Sequence, residues 1–391
     1  MKKNKVNSPR VPVYRDSGFE LFDAETTASA FKTETEHHRD PGLYIYSRYR
    51  NPTVVAAEEE IMKIEKCSWA LLTESGMSAI DVALSIFQKG PVTAPWLFFS
   101  EIYGGTISYI ESVLKKRRGL DIKTFSPVNG AYDLNDFENV VRGMKPGLIY
   151  TETISNPLLV VADIIEISRI AKKYNSKLII DNTFATPSLL RPLEHGADIV
   201  IHSATKYLSG HGNLTAGVIC GNDDEIMKDA IEYRKFVGHM LSPDDAYRLS
   251  TQVRTFELRF TRQCENAAAL AAIFSNSGLI GKVCFPLLRD HPTHDIAVKL
   301  FGDLSGGAML TIDFNGKDRD EKRRRRDSFI QSVSGEIKLV PTLGDPHTIL
   351  MPVEAVWGAR YPEPGMIRIS AGFENTENLL NTIKNALAGI K

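Results

Sequence analysis

Lys206 stands in the run His202-Ser203-Ala204-Thr205-Lys206-Tyr207-Leu208-Ser209-Gly210-His211-Gly212, just after the apolar stretch ADIVIH at 197–202. Upstream, Asp181 closes a second apolar stretch, KLIID. A lysine amine condenses with a carbonyl to form an imine, and a carboxylate can hold a pyridine nitrogen protonated so that the ring accepts electrons. The pair suits a pyridine cofactor. Taken singly, Lys206 is more commonly a surface residue and Asp181 a helix cap.

A cofactor phosphate needs a cradle. Glu74-Ser75-Gly76-Met77 lies where a strand gives way to a helix, so the N–H groups of Gly76 and Met77 would face an anion with the helix dipole behind them. A glycine that only makes a tight turn accounts for the same residues. Ser203 and Thr205 add hydroxyls beside Lys206. Tyr103, in Ile102-Tyr103-Gly104-Gly105-Thr106, offers a flat ring that either stacks on a cofactor or covers the core. Tyr46 and Arg48, in Tyr46-Ser47-Arg48-Tyr49-Arg50-Asn51-Pro52-Thr53, suit phosphate recognition or an ordinary interface. Arg368 is a charge inside the apolar run MIRIS and needs a partner, which a substrate carboxylate or a structural one would supply.

These residues must be positioned by a repeating pattern of elements. Apolar strands are expected at 69–72, 96–99, 122–125, 148–151, 177–181, 197–202 and 216–220. Helical spacing falls between them, at 54–66, 76–87, 106–114, 134–141 and 164–174. Near-continuous apolar strands alternating with helices predict an α/β fold around a parallel or mixed sheet covered on both faces. Ligands bind such sheets at the strand ends, where the reactive residues fall. A helical stretch from about 243 to 275 leads to a smaller α/β lobe, with strands at 309–314, 337–340 and 366–370 and helices near 318–333 and 376–389. Residues 1–53 read as an arm lying on another surface, or as partly disordered. The expected divisions are thus an arm (1–53), a cofactor-binding domain (54–255) and a C-terminal α/β domain (256–391).

Bulk properties narrow the partners. The chain has 391 residues, more than a single core sustains. A formal net charge of −1 gives no field to recruit nucleic acid or an anionic membrane. The run Arg323-Arg324-Arg325-Arg326, flanked by acids and followed by Phe329, Ile330 and Val333, reads as the solvated face of an amphipathic helix. Four scattered cysteines suggest neither a disulfide framework nor zinc, and His291 and His294 read as two surface histidines rather than metal ligands. The basic start has no apolar segment behind it, and a cytoplasmic protein is expected.

Taken together, YSRYRNPT (46–53), ESGMSAI (74–80), YGGT (103–106), TETISNP (151–157), DNTFATP (181–187) and HSATKYLSGHGN (202–213) resemble the Cys/Met-metabolism family of pyridoxal-phosphate enzymes, from about residue 12 to residue 390. That family includes cystathionine γ-synthases, cystathionine lyases, methionine γ-lyase and homoserine-ester sulfhydrylases. The resemblance implies the type I, aspartate aminotransferase-like fold and pyridoxal 5'-phosphate as cofactor. It implies that Lys206 is the Schiff-base lysine and proton shuttle, that Asp181 pairs with the pyridine nitrogen, and that Asn156 lies near the phenolic oxygen. Tyr103 would stack on the ring and protonate the leaving group. Gly76, Met77, Ser203 and Thr205 would hold the phosphate, with Tyr46 and Arg48 reaching over from a neighbouring subunit, so that the site would need a dimer, which the resemblance implies is paired into a dimer of dimers. Arg368 would bind the substrate α-carboxylate, with Thr342 where a serine usually helps.

The same resemblance sets the expected reaction: γ-elimination or γ-replacement on a methionine-like amino acid or homoserine ester. Making or cleaving cystathionine is the alternative, and an aminotransferase the remoter one. Four departures from the family pattern bear on this choice. Asn213 replaces a common aspartate, and the segment 34–42 is longer than usual. Pro341 stands where cystathionine-handling members often carry an acid, and 351–358 (MPVEAVWG) replaces a run that normally lines the substrate pocket. The missing acid favours a small or uncharged side chain, unless Glu354 restores a contact to a distal amine.

Overall fold

The computed structural model describes residues 10–36, 43–88, 90, 93–302 and 305–390. Part of the long 34–42 segment, residues 37–42, therefore lies outside the described residues.

Seven strands form the larger sheet: β1 (Trp69–Thr73), β2 (Trp96–Phe99), β3 (Ile122–Phe125), β4 (Leu148–Glu152), β5 (Lys177–Asp181), β6 (Ile199–His202) and β7 (Gly217–Gly221). Their spatial order is β1-β7-β6-β5-β4-β2-β3. Only β7 runs antiparallel to its neighbours, so the other six strands end on the same edge. All seven except β3 and the first residue of β5 are buried along their length. That burial follows from helices covering both faces and explains why the strands read as apolar runs.

The smaller lobe is built on five strands, β8 (Ile280–Cys284), β9 (Met309–Phe314), β10 (Lys338–Leu339), β11 (Ile349–Pro352) and β12 (Met366–Ser370), in the order β10-β11-β12-β9-β8. Apart from the parallel β10–β11 pair its strands are antiparallel. The helix Phe256–Ser275 joins the lobes. Its Phe256 and Phe260 belong to the large core, and its Leu270 and Phe274 to the small one.

Several expectations need correction. The stretch 243–275 is two helices, Pro243–Gln252 and Phe256–Ser275, parted by a short 3-10 turn at Val253–Thr255. Within the supposed arm, Ala24–Glu36 forms a helix. Helices at Asp224–Val237 and His294–Phe301 were not anticipated, nor were strands β8 and β11. The helix expected over 106–114 begins at Gly104 and widens into a π-helix at Ile110–Lys115.

Two polar features also differ. His291 is buried, with Nδ1 toward the Thr293 hydroxyl at 3.1 Å and Nε2 toward the Leu158 carbonyl at 3.4 Å, and burial pushes its pKa down to about 4. The arginine run lies on the helix Arg319–Val333, but Arg326 is buried rather than solvated and donates to the Pro364 carbonyl at 2.8 Å. Among the described residues, no helix is long and apolar enough to cross a membrane.

Candidate active site

Parallel strands deliver their C-terminal ends to one edge of the sheet, and the reactive residues follow those ends. After β1 comes Ser75, which caps the helix Gly76–Ser85 by accepting from the Ser78 N–H. The N–H groups of Gly76 and Met77 belong to the first turn and have no acceptor within the helix. A Cβ on Gly76 would stand 2.9 Å from the Ser203 Cβ, so the glycine is what lets this helix start meet the turn after β6. Thr205 is occupied there. Its hydroxyl donates to the Ala216 carbonyl at 3.1 Å and accepts from the Ala216 N–H at 2.9 Å.

Asp181 lies at the end of β5, buried, with Oδ1 accepting from the Thr183 hydroxyl at 2.5 Å and the Thr183 N–H at 3.0 Å. Burial pushes its carboxyl above the ordinary range, against the Thr183 bonds that favour the anion. A cation placed against its remaining oxygen would return it to the charged form.

Lys206 donates from Nζ to the Thr342 hydroxyl at 2.8 Å. The same threonine's carbonyl accepts from Arg368 Nη2 at 2.8 Å, while Arg368 Nη1 donates to Asn156 Oδ1 at 3.2 Å. Burial, then the nearby Arg368 charge, lowers the Lys206 pKa to about 8. Burial likewise lowers Arg368 to about 10, and its Nε is a buried donor with no protein partner. An incoming carboxylate would satisfy that donor.

These groups surround one cavity of about 720 Å³, the size of a small-molecule site. Gly76, Met77, Tyr103, Asn156, Asp181, Ser203, Thr205, Lys206, Thr342 and Arg368 all line it. Tyr103 is 48% exposed, so its ring faces the cavity rather than covering the core. Tyr46 and Arg48 do not line it. Tyr46 is exposed, and Arg48 lies over the Tyr46 and Tyr49 rings and donates to the Lys235 carbonyl at 2.6 Å. Asn213 lies away from the cavity, accepting from Gln252 Nε2 at 2.9 Å.

Glu354 does not reach the cavity. It is held by Arg319 at 3.1 Å, Arg323 at 3.2 Å and Arg326 at 3.5 Å, which removes it as a ligand for a distal amine.

Glu152 and Arg360 line the cavity too without having been singled out in the sequence, and Trp357 lines it from the 351–358 segment expected to border the pocket. Glu152 ends β4 and accepts from the Tyr103 N–H at 2.5 Å, which fixes the loop that carries the tyrosine. Burial, then the charge of Asp181, pushes its carboxyl well above the usual range. The run LIYTE, an apolar strand ending in an acid, carried the same signal that singled out KLIID.

The donor set fits a phosphorylated pyridine aldehyde. Gly76 opens a helix start to a phosphate, Asp181 offers a buried acid to a ring nitrogen, and Lys206 has an amine of lowered pKa. Comparison with known proteins agrees with this fit. The sequence matches the family described as Cys/Met metabolism PLP-dependent enzyme over residues 1–388. Among curated proteins it is 34% identical over 358 residues to cystathionine beta-lyase of Lactococcus lactis subsp. cremoris, covering 89% of each chain. It is 32% identical over 402 residues to L-methionine gamma-lyase of Treponema denticola, covering 98% of this chain and 94% of that one. Among solved structures, cystathionine gamma synthase from Xanthomonas oryzae pv. oryzae superposes with a TM-score of 0.84 at 26% identity, covering 97% of this chain and 92% of that one.

Proposed function

The chain belongs to the Cys/Met metabolism PLP-dependent enzyme family, and from that premise we propose that it carries out γ-elimination or γ-replacement on an amino acid with a short, uncharged γ-substituent, such as methionine or O-acetylhomoserine. Pyridoxal phosphate supplies the electron sink that lets protons leave Cα and Cβ.

The chain's own groups do the rest. Arg368 takes the substrate carboxylate on its unpartnered Nε, with Asn156 and the Thr342 carbonyl holding the guanidinium still. Lys206 Nζ, with its pKa near 8, accepts and returns protons at neutral pH, and the Thr342 hydroxyl orients it. Tyr103, whose ring lines the same cavity, is the acid for the departing group. Asp181 keeps the ring nitrogen protonated, while Gly76, Met77 and Ser203 hold the phosphate, joined by Thr205 when its hydroxyl turns from the Ala216 carbonyl. Tyr46 and Arg48, remote from their own cavity, serve a neighbouring copy's phosphate, so the working enzyme is at least a dimer.

The observation that carries this reading is the chain Lys206–Thr342–Arg368. Two contacts of 2.8 Å join the proton-moving amine to the carboxylate-binding guanidinium. The preference for an uncharged side chain rests on Pro341 in the cavity wall and on Glu354 being tied to three arginines.

Cystathionine is the second reading, and Arg360 favours it, because a guanidinium lines the cavity where a distal carboxylate could meet it. That guanidinium is already bonded to the Ser100 carbonyl, with Glu101 at 3.8 Å, so it is partly satisfied. The purified enzyme is expected to show a visible absorbance band that borohydride or Lys206→Ala abolishes. It is expected to release 2-oxobutanoate from methionine, or to form a sulfide-dependent product from a homoserine ester. Neither product from either substrate overturns the proposal.

A further inference from the structure

The segment that departs most from the family pattern places an indole over the substrate-binding arginine. The Arg368 guanidinium lies over the Trp357 ring, 5.6 Å from its centroid. The indole also approaches the large lobe, with Nε1 3.8 Å from where a Cβ on Gly104, next to Tyr103, would stand. Trp357 thus spans the cavity from the small lobe's arginine to the loop of Tyr103.

It is held there from several directions. The Tyr361 ring meets it edge-on at 6.4 Å and 86°. Tyr361 in turn donates to Glu101 Oε2 at 2.6 Å, which ties the segment to the loop after β2. The short helix Val353–Trp357 is anchored through Glu354 to Arg319 and Arg323. Val353 and Met366 pack beneath the indole.

We infer that Trp357 is a specificity-determining residue, an aromatic roof that favours a short, uncharged γ-substituent over a long, distally charged one. This rests on Arg368 receiving the substrate carboxylate, as proposed above. A carboxylate on Arg368 brings its carbon chain alongside the indole. A thioether or methyl group gains contact with that ring. A distal ammonium and carboxylate must instead shed water against an aromatic surface, and no free acid stands nearby to pair with the ammonium. Of the acids that line the cavity, Glu152 is buried and accepts from the Tyr103 N–H and Asp181 is held by Thr183, while Pro341 carries no charge and Glu354 is paired with arginines outside it.

Two measurements test this. In the first, kcat/KM for L-methionine and L-cystathionine is compared in wild-type, Trp357→Phe and Trp357→Ala enzyme. Trp357→Ala is expected to lower the methionine value about 10- to 100-fold, mainly through KM, and to change the cystathionine value by less than about threefold. Trp357→Phe keeps most of the methionine activity. Should Trp357→Ala fail to bind cofactor or fold, Trp357→Leu removes the aromatic face with less volume lost and is expected to shift the ratio the same way.

The second reads binding without turnover. Trp69 and Trp96 are each 2% exposed in the core, so a shift in the wavelength of the emission maximum on adding L-norleucine, which lacks the reactive sulfur, reports on Trp357. It is expected in the wild-type enzyme and absent in Trp357→Phe. Equal losses for both substrates, or a norleucine response that survives Trp357→Phe, overturns the assignment. A wild-type enzyme that prefers cystathionine overturns the functional reading instead. In that event the norleucine response still decides whether Trp357 contacts the side chain.

Discussion

Glu152 and Asp181 lie directly opposite each other on adjacent parallel strands, and both carboxyls are buried against the cavity. Two buried acids on neighbouring strands do not both ionise easily. Their pKa values are raised by burial, and Glu152 further by the charge of Asp181. Asp181 has two Thr183 bonds that favour an anion against the one Tyr103 N–H on Glu152, so Glu152 is the one expected to hold the proton. Glutamine mimics a protonated glutamic acid and still accepts from the Tyr103 N–H. Glu152→Gln is therefore expected to keep cofactor affinity and kcat/KM within about threefold, whereas Asp181→Asn loses more than about 100-fold in kcat. Steady-state kinetics and cofactor titration check this, and an equal collapse of both variants would show that the Glu152 anion is needed.

The lowered Lys206 pKa makes a prediction about cofactor loading. Only the neutral amine attacks an aldehyde, and burial brings its pKa from 10.5 to about 8. The rate at which apoenzyme combines with pyridoxal phosphate is expected to rise with pH around a midpoint near 8, as followed by absorbance. The same shift has a stability consequence with a defined sign. Because the folded pKa lies below the unfolded one, folding is disfavoured by this group below pH 8, and the penalty fades between 8 and 10.5. Lys206→Met is expected to raise the apoenzyme Tm at pH 7 by more than at pH 10, and a pH-independent difference would contradict the shift.

How far the sequence revealed this site depends on what each residue's neighbours in the chain disclose. Strands β2 and β5 were legible to the residue because burial on both faces requires an unbroken apolar run. Strand β8 was not, since Gly281 and Lys282 within it are exposed. The helix pair around Val253 looked continuous because nothing in that stretch breaks helical periodicity. Asp181 and Lys206 announced themselves through flanking apolar strands and a specific motif. Trp357 was legible only as part of the pocket segment 351–358, because its contact with the loop of Tyr103 is made through Gly104, far from it in the chain. Glu354 was misread for a similar reason: its three arginines sit on a helix some thirty residues upstream.

Gly76 offers a test of the phosphate cradle. A methyl group there would stand 2.9 Å from the Ser203 Cβ and 3.2 Å from its Cα, so the helix start and the turn after β6 must part. Overpacking of this kind costs about 1–3 kcal/mol. Gly76→Ala is expected to weaken cofactor binding about 5- to 100-fold while leaving far-UV circular dichroism unchanged. Unchanged affinity in Gly76→Ala would mean that the phosphate does not lie at this helix start.

Whether Arg48 serves its own chain's cavity or a neighbour's can be decided by mixing two inactive variants. Within one chain, Arg48 is tied to the Lys235 carbonyl and lies outside the cavity that Lys206 lines. Suppose it acts across a dimer. A hybrid of one Lys206→Ala chain and one Arg48→Ala chain then has a site in which the intact lysine comes from one copy and the intact arginine from the other. Random pairing makes half the dimers hybrids with one working site in two, so about one quarter of wild-type activity is expected after the mixture is dissociated and reassembled. If Arg48 acts within its own chain, every site in the hybrid lacks one of the two groups and no activity returns. The recovered fraction, measured as keto-acid release against each variant alone, therefore separates the two arrangements.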